Sequence, residues 1–370
     1  MNTQLFQEGV DRVVVAMSGG VDSSVAALLV HRHGYAALGI SMQVWDYRQH
    51  GGCGNRATCC SPDDFTDARK VAAAIGIPYY VFDFEQTFRR EVIEKFVRTY
   101  RIGETPNPCV DCNAKVKFKE LRQRAVALGC SHVATGHYAR IERQADGYHL
   151  TRAIDREKDQ TYFLYNLTQA ELGQTIFPVG DLTKAEVREI AREAGLVTAE
   201  KAESQDICFV SGSVAEFLER HGGSLPHGEI VLRDGSKVGE HEGIDSFTVG
   251  QRKGLGLGGN ERPLYVLEID AAANRVIVGH KEELAREGFE VGEISWMSPT
   301  ISGTAWQSGR IKALAQVRHR HPGVAVEVNE PDDGVCHVSF VDGWATVSPG
   351  QACVFYDMQN REVLGGGRIR

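Results

Sequence analysis

Apolar and polar positions follow two different rhythms along this chain. Up to about Ser211, short β-branched runs are each followed by a segment with helical spacing. Val13–Ala16 reads as a strand and VAALLVHRHG after it as a helix over about 23–33. Ala36–Val44 is the next strand, with a helix over about 62–75 behind it. Tyr79–Phe82 is a third strand, followed by helices near 86–100 and 116–128, and His132–Thr135 is a short fourth that opens onto Gly136-His137-Tyr138. Lys184–Ala194 reads as a helix capped by Thr183 and ended by Gly195. This alternation predicts an α/β domain with a parallel sheet covered on both faces, its ligands at the carboxyl ends of the strands.

After about Ser211 the rhythm shortens. Glycine-rich turns separate GEIVLRDG, GIDSFTVGQRKGLGLGG and LYVLEIDAAANRVIVG, which read as hairpins of a small β-rich module. VAVEV, CHVSF, ATVSPGQACVFY and VLGGGRIR follow as short strands of a second β unit, a barrel by their spacing. The expected units are residues 1–210, 211–285 and 286–370.

The turn after the first strand carries the first chemistry. Ser18-Gly19-Gly20-Val21-Asp22-Ser23-Ser24 leads straight into a helix. A helix N-terminus presents unpaired N–H groups and positive dipole to an anion, and the glycines let backbone approach a phosphate. The loop lacks the lysine of a Walker A motif and is not GxGxxG. It resembles the PP-loop of ATP pyrophosphatases, which implies cleavage of ATP to AMP and pyrophosphate with adenylation of a carbonyl oxygen.

Composition narrows the class. The 370 residues are 42% hydrophobic and 24% charged, the balance of a soluble globular protein. No apolar run reaches membrane-spanning length and the first residues lack a signal-peptide pattern, so the expected location is the cytoplasm, with no membrane partner. The net charge of −8 argues against bulk nucleic-acid binding, but local clusters such as Lys115, Lys117, Lys119, Arg122 and Arg124 can still track phosphates. In a reducing compartment nine cysteines read as thiols, ligands or catalysts rather than disulfides.

Two of those cysteines sit in Thr105-Pro-Asn-Pro-Cys109-Val-Asp-Cys112-Asn113. The prolines predict a rigid loop that delivers Cys109 and Cys112 just before the basic helix KVKFKELRQR, a setting that favours thiolate. A third, Cys208, stands far away in ESQDICFV. Cys53, Cys59 and Cys60 with His50 lack a clean metal-site spacing, and Cys130, Cys336 and Cys353 lie in apolar patterns that predict core. GQRKGLGLGG reads as a loop presenting Arg252 and Lys253, and the Trp and most Phe residues as packing.

SGGVDSS, TPNPCVDCNAKVKF, ATGHYAR, REKDQTYFLY, ESQDICFV, TVGQRKGLGLGG and VSPGQACVFY occur in that order. Together they resemble the tRNA-specific 2-thiouridylase family (MnmA/TrmU), over essentially the whole chain. The resemblance implies replacement of O2 of the wobble uridine, tRNA position 34, by sulfur in tRNAs for Lys, Glu and Gln. It implies ATP and Mg²⁺, and a persulfide donor or cysteine desulfurase relay as partner. By motif position Cys208 carries the persulfide and Cys112 is the second catalytic cysteine. ATP is expected on Ala16, Met17, Ser18, Gly19, Gly20, Val21, Asp22 and Ser23, with Met42 and Gly136; Asp22 either orients the metal ion or caps the helix. The tRNA is expected on Asn107, Pro108, Cys109, His137, Lys158, Asp159, Gln160, Arg320, His321 and Gln351.

The chain departs from the family at Cys109, where many members carry Asp, so an acid or base role there does not transfer. Three cysteines, Cys109, Cys112 and Cys208, also suit a [4Fe–4S] cluster that leaves one iron open to sulfide. Two other classes compete: a PP-loop ligase or amidotransferase acting on a small metabolite, which needs neither Cys112 nor Cys208, and a tRNA-binding protein without catalysis.

Overall fold

The computed structural model describes residues 12–45, 62–202, 207–210, 212–223, 225–258, 262–301, 306 and 309–370. His50, Cys53, Cys59 and Cys60 lie outside the described residues.

Five parallel strands build the first sheet in the order Tyr79–Asp83, Ala36–Gln43, Arg12–Ala16, His132–Ala134, Thr175–Ile176. The β-branched run at 13–15 suits a central strand buried on both faces. Val13 and Val15 pack with the helices Val21–Arg32, Pro62–Ile75 and Lys184–Glu193 on one face. Val14 and Ala16 pack on the other against Phe88, Phe96, Leu121 and Phe217. The chain leaves the first strand toward 36–43 on one side, while 132–134 lies on the other. That reversal opens a crevice at the strand ends, where such sheets bind ligands. Thr183 closes a capping box with Glu186, and Gly195 adopts φ +62° just past the helix end.

One sequence expectation is corrected here. TPNPCVDCN is not a loop up to Val116: Pro108 opens a helix that runs without a break through Pro108–Asp111, a π-helical stretch Cys112–Glu120 and Leu121–Ala127. Proline is tolerated at the first helical position, where its missing N–H has no partner to lose. Cys109 and Cys112 therefore ride one turn apart on the helix rather than ahead of it.

The second unit is a four-stranded sheet of two hairpins, Gly228–Leu232 with Lys237–His241 and Tyr265–Asp270 with Arg275–Gly279. They join by parallel pairing of 275–279 with 228–232. The last unit is a closed six-stranded barrel in the order Gly288–Trp296, Cys336–Phe340, Val324–Asn329, Arg310–Gln316, Ala352–Tyr356, Val363–Ile369. Cys130, Cys336 and Cys353 are buried, as their apolar settings predict, and burial pushes the Cys336 thiol up to about 11.

A hairpin, Ala139–Gln144 with Gly147–Arg152, fastens the first unit to the barrel. Thr151 bridges to Glu362, and Arg152 N–H donates to the Arg361 carbonyl at 2.8 Å. Leu150, Tyr162 and Leu164 share one core with Val354 and Tyr356 of the barrel. The two units are thereby welded by burial as well as by hydrogen bonds. Among the described residues no helix is long and apolar enough to cross a membrane.

Candidate active site

The loop after the first strand is held in shape by its own serines. Ser23 Oγ accepts from Ser18 N–H at 3.1 Å, and the Ser24 hydroxyl donates to the Gly20 carbonyl at 2.8 Å. Gly19 sits at φ +75°, and a Cβ there would fall 2.3 Å from the Asp64 carbonyl oxygen. Gly136 meets the loop from the neighbouring strand: a Cβ would lie 2.7 Å from Asp22 C and Ser23 N. Only glycine allows this contact, which sets the TGHY turn against the first turn of the helix.

Asp22 neither caps the helix nor stands alone. The cap position is Gly20, without a side-chain cap bond. Lys184 Nζ lies 2.7 and 2.8 Å from the two Asp22 carboxylate oxygens, and the Tyr138 hydroxyl donates to Oδ1 at 2.8 Å.

A cavity of about 320 Å³ opens beside this loop. Its walls include Ala16, Met17, Ser18, Asp22, Ser23, Met42 and Gly136 from the expected nucleotide residues, both Cys112 and Cys208, and Pro108, Cys109, His137 and Gln160 from the expected RNA residues. Sulfur-bearing and phosphate-binding elements thus share one chamber, although Cys112 and Cys208 are 96 positions apart by their numbers. Gly19, Gly20 and Val21 shape the loop from behind, with Val21 packed in the core. Asp22 is the one carboxylate among the described residues lining the cavity. A single carboxylate suits a magnesium ion that arrives with the triphosphate and keeps most of its waters. The three cysteines are a different matter. Cys109, Cys112 and Cys208 line the same cavity, and among the described residues no group of three or more His, Cys, Asp or Glu side chains is arranged to hold a metal ion.

His137 is buried on the cavity wall. Burial, then the nearby Lys117 charge, hold its imidazole well below the usual histidine range, so it is neutral at neutral pH. Its Nδ1 pairs with the Thr135 hydroxyl at 2.7 Å. Asn113, 3% exposed and also on the cavity wall, donates from Nδ2 to the Phe163 carbonyl at 3.2 Å, while its Oδ1 has no hydrogen-bond partner.

The other expected RNA residues lie off the cavity. Asn107 precedes the cysteine helix and hydrogen-bonds Tyr162. Gln351 donates to the carbonyls of Thr105 and Pro106 at 3.2 and 3.1 Å, so the barrel holds the TPNP segment. Asp159 is buried and bonded to Arg152. Lys158 is half-buried; Arg320 is exposed and His321 half-buried at one end of the barrel. The sequence gives Thr135, Asn113, Phe163 and Lys184 no place in the site, and Lys117 only as one of a basic cluster that can track phosphates. Lys184 reads there only as the start of a capped helix, and no local pattern shows that its ammonium reaches Asp22.

Three family models match consecutive parts of the chain: a tRNA methyl transferase HUP domain over 11–212, a tRNA methyl transferase PRC-barrel domain over 215–280 and an aminomethyltransferase β-barrel domain over 286–369. The tRNA-specific 2-thiouridylase MnmA of Geobacter metallireducens is 49% identical, covering 97% of this chain and 96% of that protein. The proteins of the same name from Geotalea uraniireducens and Chloroflexus aurantiacus are 48% and 46% identical, covering 97% and 96% of this chain and 94% and 98% of theirs.

Proposed function

We propose that this chain, which belongs to the tRNA-specific 2-thiouridylase family, uses ATP to exchange O2 of the wobble uridine of tRNA for sulfur. The observation that carries the reading is the shared chamber: phosphate loop, Gly136, Cys112 and Cys208 face one cavity of ligand size. The matched models are described by methyl transfer, but a methyl donor brings its own leaving group. It needs neither a phosphate loop nor a pair of cysteines beside it.

The chemistry assigns each part a task. Uridine O2 attacks the α-phosphate of ATP on the Ser18–Ser23 loop and pyrophosphate leaves, which turns a poor leaving group into AMP. Mg²⁺, when bound, screens the phosphate charges. Cys208 carries the incoming sulfur as a persulfide, Cys208–S–SH. Its terminal sulfur attacks C2 and AMP departs. The Cys112 thiolate then attacks Cys208 Sγ, forming a Cys112–Cys208 disulfide and releasing 2-thiouridine. An external thiol reduces the disulfide.

The proposed substrates are tRNAs for Lys, Glu and Gln, with sulfur supplied by a persulfide donor or desulfurase relay in the cytoplasm. An anticodon loop suits a chamber of this kind, because its bases leave the stack at lower cost than those of a duplex. Exposed Cys109, Arg318 and Arg320, with half-buried Lys158, are the surface positions suited to gripping it. The test is incubation with ATP, Mg²⁺, a sulfur donor and unmodified tRNA. The wobble uridine gains about 16 Da, as adenylation followed by thiolate attack requires. ATP consumption without a mass change in the RNA overturns the reading.

A further inference from the structure

A heavily bonded buried charge lies outside the cavity. Arg152 ends the hairpin that reaches the barrel, and its side chain is 10% exposed. It spends its guanidinium on both units. Toward the barrel, Nη2 donates to Gln316 Oε1 at 2.7 Å and Nε to Asn360 Oδ1 at 2.9 Å, while the guanidinium carbon lies 3.6 Å from the Tyr356 ring centre. Toward the first unit, Nη1 donates to Asp159 Oδ1 at 2.9 Å.

Asp159 is the keystone of the turn 153–161. Its carboxylate also accepts from the N–H groups of Ala153 and Thr161 and from the Thr161 hydroxyl at 2.8, 3.3 and 2.6 Å. Removing Arg152 would leave a buried carboxylate without its counter-charge, so the turn has to open or take up a proton.

Two arms leave this turn and meet at the phosphate loop. Gln160 holds Tyr138 by N–H to carbonyl and by Oε1 to Tyr138 N–H, each 2.9 Å, and the Tyr138 hydroxyl donates to Asp22. Asp155 Oδ2 accepts from Lys184 N–H at 2.9 Å, and the Lys184 ammonium binds Asp22. In the other direction, Gln316 Nε2 donates to the His319 carbonyl at 2.5 Å, inside the basic segment Arg318–His321, whose first three residues are exposed. The links from that segment to Asp22 are hydrogen bonds and ion pairs, joined inside the turn 153–161 by the backbone that carries Asp155, Asp159 and Gln160.

We propose that Arg152 is a positioning residue that makes ATP cleavage answer to RNA docked on the barrel. RNA phosphates that fix Arg318 and Arg320 would fix His319 and Gln316. That would lock the Arg152–Asp159 pair and, through both arms, the Asp22 carboxylate. The physical requirement is that the turn has a looser arrangement when the barrel end is empty, since a ligand can shift only an equilibrium that exists. The inference rests on the tRNA reading above.

The test uses the full chain and measures pyrophosphate release with and without saturating tRNA, and tRNA affinity by filter binding. Gln316→Leu keeps the Arg152–Asp159 pair and severs the barrel link. It is expected to leave the RNA-free rate and tRNA affinity within about threefold of wild type while tRNA stimulation falls by about fivefold or more, the size of an ordinary coupling. Arg152→Ala loses stimulation more fully, and Arg152→Lys does not restore it, because an ammonium cannot reproduce the fork between Asp159 and Gln316. If Arg152→Ala does not fold, Gln316→Leu decides alone. Equal loss of the rates with and without RNA in Gln316→Leu, or unchanged stimulation, overturns the proposal. So does a wild type that thiolates tRNA but whose ATP cleavage ignores it. A wild type that never thiolates tRNA defeats the functional reading instead.

Discussion

Lys184 grips Asp22 with both carboxylate oxygens inside 2.8 Å, joining the first turn of one helix to the phosphate loop at the start of another. Asp22 stands on the cavity wall and Lys184 holds its carboxylate from outside that wall, so the charge facing the cavity is fixed in place. Asp22→Asn keeps the shape and removes the charge. It is expected to slow tRNA-dependent pyrophosphate release by about 100-fold, the usual loss when one preorganised electrostatic group is removed. Lys184→Met should do the same, and the double variant should be little slower than either single one, because the two side chains act as a unit. Losses that multiply in the double variant would show that the contact has no joint role.

Gly136 carries a second prediction. An alanine there places a methyl group 2.7 Å from the backbone of Asp22 and Ser23. Gly136→Ala should cost about 1–3 kcal/mol of stability through overpacking. ATP affinity should fall by about tenfold or more as the TGHY turn is pushed off the helix start. Calorimetric ATP binding and thermal unfolding read the two effects separately. Normal ATP affinity would mean that this turn does not shape the nucleotide site.

The weld between hairpin and barrel has a titratable member. His149 is buried between Asp146 and Glu362, with ring nitrogens 2.9 and 2.8 Å from their carboxylates, and Glu362 also accepts from Ser298. Burial alone would lower the imidazole, but hydrogen bonds and charges from both carboxylates outweigh it and raise His149 above the usual histidine value. The folded state therefore favours the proton. The stabilisation is complete below about pH 6.5 and fades as pH rises through the raised folded value. The gap in melting temperature between wild type and His149→Gln should be widest near about pH 6 and narrow toward about pH 8.5. A gap that widens with pH would contradict the assignment.

Much of the loop end of the candidate site is legible in the linear chain, because glycine pairs and β-branched runs act locally. A buried strand, a turn that only glycine can make and a helix start leave their marks within about ten residues of one another. The cysteine helix was misjudged for the same local reason. Two prolines read as a loop signal, yet Pro108 occupies the one helical position where proline is welcome. The hairpin 139–152 escaped notice because its alternation is interrupted by charged residues whose partners come from the barrel, more than 200 residues away. Asp159 and Gln351 show the limit most clearly. One stands in the polar run REKDQT, the other beside a turn in VSPGQACVFY. Only the fold reveals that one neutralises Arg152 and the other holds the backbone of Thr105 and Pro106. Local pattern shows that a polar side chain is present; which way it turns is decided by tertiary packing.

The account turns on whether the sulfurs of Cys112 and Cys208 meet during the reaction. A single-turnover mixture of persulfide-loaded protein, ATP and wobble-uridine tRNA, quenched with an alkylating reagent and mapped by mass spectrometry, answers this directly. The account predicts one Cys112–Cys208 disulfide for each 2-thiouridine formed. In Cys112→Ser the disulfide is absent and product stalls on Cys208, and Cys208→Ala forms no product while ATP binding is retained. Thiouridine produced with both cysteines still alkylated as free thiols, or at full rate in Cys208→Ala, would contradict it.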